Sequence, residues 1–268
     1  MPASTHDKRE AFRALHQAGC FVLPNPWDIG SAKVLQHLGF KALATTSAGM
    51  AWSMGRADGD VSLDEVLLHL SSLAHATDLP LNADFENGFA DAPEEVARNV
   101  ALAVDAGVCG LSIEDFPGGG ATGLYDFGLA VERIAAAREA IGTSGVVLTA
   151  RSEGFLRGAP DMDETIRRLN AFAEAGAGCL YAPGLREEAQ IRQLVEAVAP
   201  LPVNILSPGL PAATLGGLGV RRISLGGAMA RVAYGAAYAA AAEVAEQGTF
   251  GAFAKPAGPS LNPIFAPS

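Results

Sequence analysis

Three stretches decide the fold: Leu81-Asn82-Ala83-Asp84-Phe85-Glu86, Gly110-Leu111-Ser112-Ile113-Glu114-Asp115 and Val146-Val147-Leu148-Thr149-Ala150-Arg151. Each is a short apolar run closed by charge, and each is followed by a helical pattern. Continuous apolar runs of this length suit parallel strands buried on both faces. Working outward, strand-type runs fall at 20–23, 42–45, 81–83, 110–113, 146–149, 179–181, 203–205 and 222–225. Helical stretches follow them at 29–38, 63–76, 93–106, 128–141, 162–175, 186–198, 213–218 and 228–247. Strand–helix alternation implies a parallel sheet, and eight such units imply a closed (β/α)8 barrel forming a single domain over 1–268. The competing doubly wound sheet lacks its Gly-rich turn after the first strand.

Local signals support the boundaries. Ser62 with Glu65 reads as a capping box, and Asp91-Ala92-Pro93 as a helix start with an acidic residue and an early proline. Gly19, Gly39, Gly107 and Gly142 read as helix ends.

Composition narrows the function. The chain has 268 residues, 49% hydrophobic, with net charge −10. That charge disfavours nucleic acid and anionic membranes as partners. No apolar run approaches the roughly 18 residues of a membrane span, and the first residues carry no signal-type apolar segment. Cys20, Cys109 and Cys179 have no metal or redox spacing and read as buried, reduced thiols of a cytoplasmic protein. All five histidines precede residue 76, and none closes a strand, so acid–base chemistry is expected from carboxylates, metal-bound water, Tyr or Arg.

In a (β/α)8 barrel the active site lies at the carboxyl ends of the strands. Asn25, Trp27, Asp28, Thr46, Ser47, Asp84, Glu86, Glu114, Asp115, Arg151 and Asn204 are the strand-end candidates. Asp84 and Glu86, two apart, are expected on one pleat face, with Glu114 and Asp115 on the next strand. Such carboxylates suit Mg²⁺, which takes oxygen ligands and keeps several waters. Arg151 can grip a carboxylate in a bidentate fork, or pair with Glu114 or Glu153. The turn Thr45-Thr46-Ser47-Ala48-Gly49 can aim amides at an anion or be a plain connection. Gly226-Gly227 fits a phosphate site or a tight turn, and 116–126 reads as a mobile lid containing Gly118-Gly119-Gly120.

At these residues the chain resembles the isocitrate lyase/phosphoenolpyruvate mutase superfamily. The matching segments are Asn25-Pro26-Trp27-Asp28, Thr45-Thr46-Ser47, Gly55-Arg56-Ala57-Asp58, Asp84-Phe85-Glu86-Asn87-Gly88, Ser112-Ile113-Glu114-Asp115, Thr149-Ala150-Arg151 and Arg221-Arg222-Ile223-Ser224-Leu225-Gly226-Gly227, spanning about four-fifths of the chain. The resemblance implies a barrel whose last helix swaps onto a neighbouring subunit, so 228–268 would be a swapped helix and tail in a homodimer or homotetramer. It implies Mg²⁺, with Mn²⁺ as the alternative, held by Asp84, Glu86 and Glu114, with Asp58 close by. It places Ser47, Ala48 and Gly49 on a substrate carboxylate and Arg151 on the carboxylate or oxo oxygen. Trp27 and Asn204 complete the expected substrate-binding set, with Arg151, Asp58 and Glu114 catalytic. Family reactions make or break C–C or P–C bonds beside a 2-oxo acid through a metal-stabilised enolate.

The sequence departs from that pattern in the lid. Phe116-Pro117-Gly118-Gly119-Gly120-Ala121-Thr122-Gly123 has no Cys, Lys or His. Isocitrate lyases use a lid Cys, and phosphonopyruvate enzymes a lid Lys and Asn. The sixth strand ends Tyr181-Ala182-Pro183-Gly184 where many relatives carry an acid or His, and the usual Asp-x-Asp is Asp84-Phe85-Glu86. The expectation is a Mg²⁺-dependent lyase acting on a small 2-oxo or 2-hydroxy carboxylate, by oxaloacetate-like decarboxylation or retro-aldol cleavage. Phosphonopyruvate hydrolase or mutase chemistry, and a non-catalytic 2-oxo acid binder, are the alternatives.

Overall fold

The computed structural model describes residues 3–207, 209–254 and 258–266. Eight strands are present: β1 Phe21–Leu23, β2 Leu43–Ala44, β3 Leu81–Asp84, β4 Gly110–Glu114, β5 Val147–Arg151, β6 Cys179–Tyr181, β7 Val203–Leu206 and β8 Arg222–Ser224. The helices are α1 Thr5–Leu15, α2 Ile29–His37, α3 Ser47–Ser53, α4 Leu63–Ala76, α5 Pro93–Asp105, α6 Phe127–Ile141, α7 Met162–Glu174, α8 Glu188–Ala197, α9 Ala212–Gly217, α10 Ala228–Gln247 and α11 Asn262–Phe265. All strand pairs are parallel, in the order β1-β8-β7-β6-β5-β4-β3-β2. This is a nearly closed (β/α)8 barrel.

The two ends of the sheet, β1 and β2, meet through one backbone bond, from Ala44 N to Pro24 O at 3.0 Å. The buried Asn25 side chain completes the join. Its Nδ2 donates to Thr45 O at 2.7 Å, and its Oδ1 accepts from Leu225 N and Gly226 N, both at 2.9 Å. One amide thus ties the ends of β8, β1 and β2, where backbone groups would otherwise be buried without partners.

The helix α1 precedes the eight strand–helix units. It closes the amino end of the barrel, with Phe12 fully buried. The approach is so close that a Cβ on Gly110 would lie 2.6 Å from both Phe12 Cε1 and Asn82 Oδ1, so only glycine fits there. Ser62 and Glu65 form the expected capping box on α4. The expected acidic cap of α5 is absent: Ala92 occupies the cap with no side-chain bond, and Asp91 instead accepts from the Tyr125 hydroxyl. Cys109 and Cys179 are buried as expected, but Cys20 is exposed, because it precedes β1 at the amino rim rather than lying within the strand. In the tail, the short helix α11 forms around Pro263; Pro256 and Pro267 lie outside the described residues.

Beneath the site, the barrel interior holds a buried Arg222. It donates through Nε to Asn204 at 2.9 Å and through Nη2 to Thr149 Oγ1 at 3.0 Å, and Nη1 stands 3.3 Å from His16 Nε2. Burial, then the Arg222 charge, push His16 down to about 3. The folded state therefore keeps His16 neutral, while the unfolded chain protonates it near pH 6.5. Between pH 6.5 and about 3 the unfolded state gains a proton that the folded state refuses, so stability falls as pH drops through this window. His16→Gln keeps an acceptor for Arg222 and removes this loss. Urea unfolding at pH 7 and pH 5 should show the variant losing about 2 kcal/mol less than the parent. Equal losses would contradict the buried neutral imidazole.

Candidate active site

Asp84, Glu114 and Arg151 are the last residues of β3, β4 and β5. The register sets Glu114 beside Arg151, and Arg151 beside Tyr181. Arg151 Nη1 donates to Asp84 Oδ1 at 2.8 Å and stands 3.0 Å from Glu114 Oε1. Its Nε and Nη2 each reach Glu153 Oε1 at 2.9 Å. The guanidinium also lies 4.9 Å from the Tyr181 ring centroid. Burial disfavours the charge, yet Glu114, Glu153 and Asp84 outweigh it and hold Arg151 well above its usual value. The ion-pair reading of Arg151 is thus realised with three carboxylates, and the residue still lines the cavity.

Glu86 arrives by a route the pleat does not predict. The strand ends at Asp84, and Glu86 takes a left-handed φ of 47°. Its backbone carbonyl accepts from Glu114 N at 2.9 Å. The turn, not the two-residue period, therefore directs its carboxylate, which shares a small cleft with Asp84, Ser47 and His69. Asp115 is withdrawn from the site: it accepts from Glu153 N at 2.8 Å and meets Arg168 Nη1 at 3.3 Å.

Two cavities adjoin here. An inner one of about 380 Å³ is lined by Ser47, Ala48, Asp58, Asp84, Glu114, Arg151, Tyr181 and Asn204, among others. An outer one of about 610 Å³ lies under the lid and includes Ser47, Asp58, Glu86, Glu114, Gly118, Gly119 and Gly120. Ser47, Asp58, Glu114 and Arg157 border both. Trp27 and Gly49 stand behind this wall. A Cβ on Gly49 would lie 2.9 Å from Trp27 Cβ and 2.6 Å from Thr46 Cγ2, so glycine lets α3 start here. The amides of this turn are partly engaged: Ser47 N donates to Asp84 Oδ2 at 3.1 Å and Gly49 N to Thr46 Oγ1 at 3.2 Å. Asn204 is fully buried, donating to Ser224 Oγ at 3.0 Å beneath the cavity. Gly226 and Gly227 border the inner cavity.

The Tyr125 hydroxyl is committed away from both cavities. It donates to Asp91 and accepts from Asn87 Nδ2 at 3.0 Å. Asn87 Nδ2 also reaches Pro117 O at 3.0 Å, so these contacts moor the lid. The sequence reading names Glu153 as a partner of Arg151 but misses Arg157 and Tyr181 beside it. Extending the strand-end rule through Ser152-Glu153-Gly154-Phe155-Leu156-Arg157 would have found Arg157.

The donor set fits a hard cation. Burial, then Asp84 and Asp58, raise Glu86 to about 7. Burial raises Glu114 too, with Glu153 and Asp84 adding to it against the pull of Arg151. More carboxylate stands here than two arginines neutralise, the condition a divalent ion relieves. Among the described residues no three such side chains stand in a ready ligating arrangement, since Asp84 and Glu114 are turned onto Arg151.

The family profile described as Phosphoenolpyruvate phosphomutase matches residues 12–245. The chain belongs to the isocitrate lyase/phosphoenolpyruvate mutase superfamily. Within it, 2-methylisocitrate lyase of Escherichia coli K12 is 32% identical, over 77% of this chain and 72% of that protein. Oxaloacetate decarboxylase of Pseudomonas entomophila L48 is 31% identical, over 72% and 68%. A crystal structure from Burkholderia cenocepacia J2315 is 45% identical, with TM-score 0.93 over 98% of this chain and 97% of that one. Phosphonopyruvate hydrolase in complex with oxalate and Mg²⁺ is 25% identical, with TM-score 0.84 over 96% and 93%. As a member of this superfamily the protein is an enzyme of the carbon–carbon lyase type. Among its described residues no helix is long and apolar enough to cross a membrane.

Proposed function

We propose that this lyase decarboxylates a small 2-oxo dicarboxylate, oxaloacetate being the type, with Mg²⁺ or Mn²⁺ as cofactor. One observation carries the reading: two adjoining cavities walled between them by Asp58, Asp84, Glu86, Glu114 and Arg151, under a lid with no thiol, amine or imidazole. Retro-aldol cleavage needs a base for the substrate hydroxyl and an acid for the carbon left behind. Decarboxylation needs only the second. The C3–C4 bond breaks, its electron pair moves toward the 2-oxo oxygen, carbon dioxide leaves, and one proton reaches C3.

Asp84, Glu86 and Glu114, partly through water, would hold the metal, which supplies Lewis-acid stabilisation of the charge developing on the 2-oxo oxygen. Ser47 and the Ala48 amide orient the substrate carboxylate beside it. Arg151, fixed by three carboxylates, presents a preorganised positive charge to the same oxygen. Asp58, on the border of both cavities, is placed to deliver the proton to C3. A lid without Lys or Asn disfavours phosphoryl chemistry.

The assembly read from the resemblance belongs here too. In α10 only Ala230 is buried, while Val232, Tyr234 and Tyr238 are exposed, and Trp52, Arg231, Tyr234 and Tyr238 line an open apolar hollow. A helix so poorly covered by its own barrel supports a homodimer or homotetramer that packs it between subunits.

The test is pyruvate formation from oxaloacetate, measured against the metal-only background. Mg²⁺-dependent turnover abolished by chelation is expected. Asp84→Asn should weaken Mg²⁺ roughly tenfold or more by calorimetry, since one anionic ligand is lost. Oxaloacetate consumed no faster than by Mg²⁺ alone would refute the decarboxylase, and unchanged Mg²⁺ affinity in Asp84→Asn would refute the ligand set.

A further inference from the structure

The two arginines at this site are held very differently. Arg151 is fully engaged, with Nε, Nη1 and Nη2 each on a carboxylate oxygen. Arg157 is not. Its guanidinium lies 3.6 Å from Glu114 Oε2 and 3.5 Å from Glu153 Oε2, and makes no side-chain hydrogen bond among the described residues. The orphaned Glu153 Oε2 is itself without a hydrogen-bond partner. The Arg157 side chain is 39% exposed, which leaves its donors open to the cavity. It stands 4.0 Å from the Phe116 ring centroid, at the root of the lid, and borders both cavities.

A guanidinium stacked on a ring keeps its edge free for a planar anion. Charge points the same way. The inner wall already balances Arg151 against Asp84, Glu114 and Glu153, so a substrate carboxylate lying away from that cluster finds its cationic partner in Arg157. From this we infer that Arg157 is a specificity-determining residue, which binds the distal carboxylate of a dicarboxylate substrate where the inner cavity opens under the lid. This rests on the 2-oxo acid reading above and adds to it the requirement for a second anionic group. Because Arg157 lies on Phe116, capture of that carboxylate also fixes the start of the lid. The competing role is purely internal: a small rotation of Arg157 would close it onto Glu153 Oε2 and make it a structural partner of the Arg151 cluster.

Two ligands separate these roles. Oxalate carries the chelating carboxylate pair and nothing beyond it. 3,3-Difluorooxaloacetate adds a distal carboxylate. Calorimetry with Mg²⁺ on the full chain should show Arg157→Gln weakening 3,3-difluorooxaloacetate by roughly tenfold to a hundredfold, the effect of one charge-assisted pair, while oxalate changes less than twofold. Arg157→Lys, which keeps the charge without the fork, should recover part of the loss. Equal weakening of both ligands, or of neither, overturns the assignment, and a lowered melting temperature with unchanged ligand preference identifies the Glu153 role instead. If the parent protein with Mg²⁺ binds neither ligand, the 2-oxo acid reading falls, and this assignment with it. Oxalate binding that survives while the preference is unaltered removes Arg157 alone.

Discussion

Arg151→Lys is expected to lower turnover by about 10²–10³-fold, the cost of one preorganised electrostatic donor. The charge survives this substitution, but the fork does not. A lysine ammonium cannot reach Asp84, Glu114 and Glu153 together, as the guanidinium does at 2.8, 3.0 and 2.9 Å. Glu153 is fully buried, so the largest disturbance falls on its carboxylate. Arg151→Met is the companion variant. It leaves buried carboxylates unpaired, a loss of about 3–5 kcal/mol, and separates folding from catalysis. Steady-state kinetics on Arg151→Lys, with its melting temperature as control, decides the role. Parental turnover in a folded Lys variant would make Arg151 structural.

The second large effect is expected at a residue that lines neither of the two site cavities. Arg133, on α6, is fully buried, and its guanidinium donates to Ala90 O at 2.5 Å, to Asp91 O at 2.6 Å and to Asn87 O. It also sits 4.1 Å from the Tyr125 ring centroid. One side chain therefore holds the loop after β3 and, through Asn87 and Tyr125, the base of the lid. Arg133→Met leaves three carbonyls of a half-buried loop without their partner. At about 1–3 kcal/mol per lost partner, with part recovered by water, the expected destabilisation is about 4 kcal/mol. For a chain of this size that is a fall of roughly 10 °C in melting temperature. Calorimetric melting checks it, and a shift under about 2 °C would mean that the loop holds itself.

These two arginines mark where the sequence stops being sufficient. Each of the eight strands overlaps its apolar run, and α4 and α10 occupy the expected residues, because a buried parallel strand and an amphipathic or small-residue helix are local patterns. Asp84, Glu114 and Arg151 were legible for the same reason: a charge closing an apolar run is at a strand end, and the barrel topology fixes which end faces the site. The seven-residue α3 was read as a turn, since Ser47-Ala48-Gly49 carries no period to detect. The direction of Glu86 was not legible either, because a left-handed φ in a non-glycine residue is imposed by the chain around it.

The partners were decided by tertiary structure alone. Arg133 bonds carbonyls more than forty residues away, and Arg222 in β8 reaches Thr149 in β5 across the barrel interior. Periodicity records which face of an element is buried. It holds no record of which distant loop comes to rest against a given guanidinium, because that is set by the closure of all eight strands at once. The sequence by itself therefore determined the barrel, its active face and the acidic character of the site. Only the folded chain decided that Arg151 is locked by carboxylates, that Arg157 is left open beside it, and that Arg133 moors the lid, since an ion pair depends on distances that exist only after the barrel has closed.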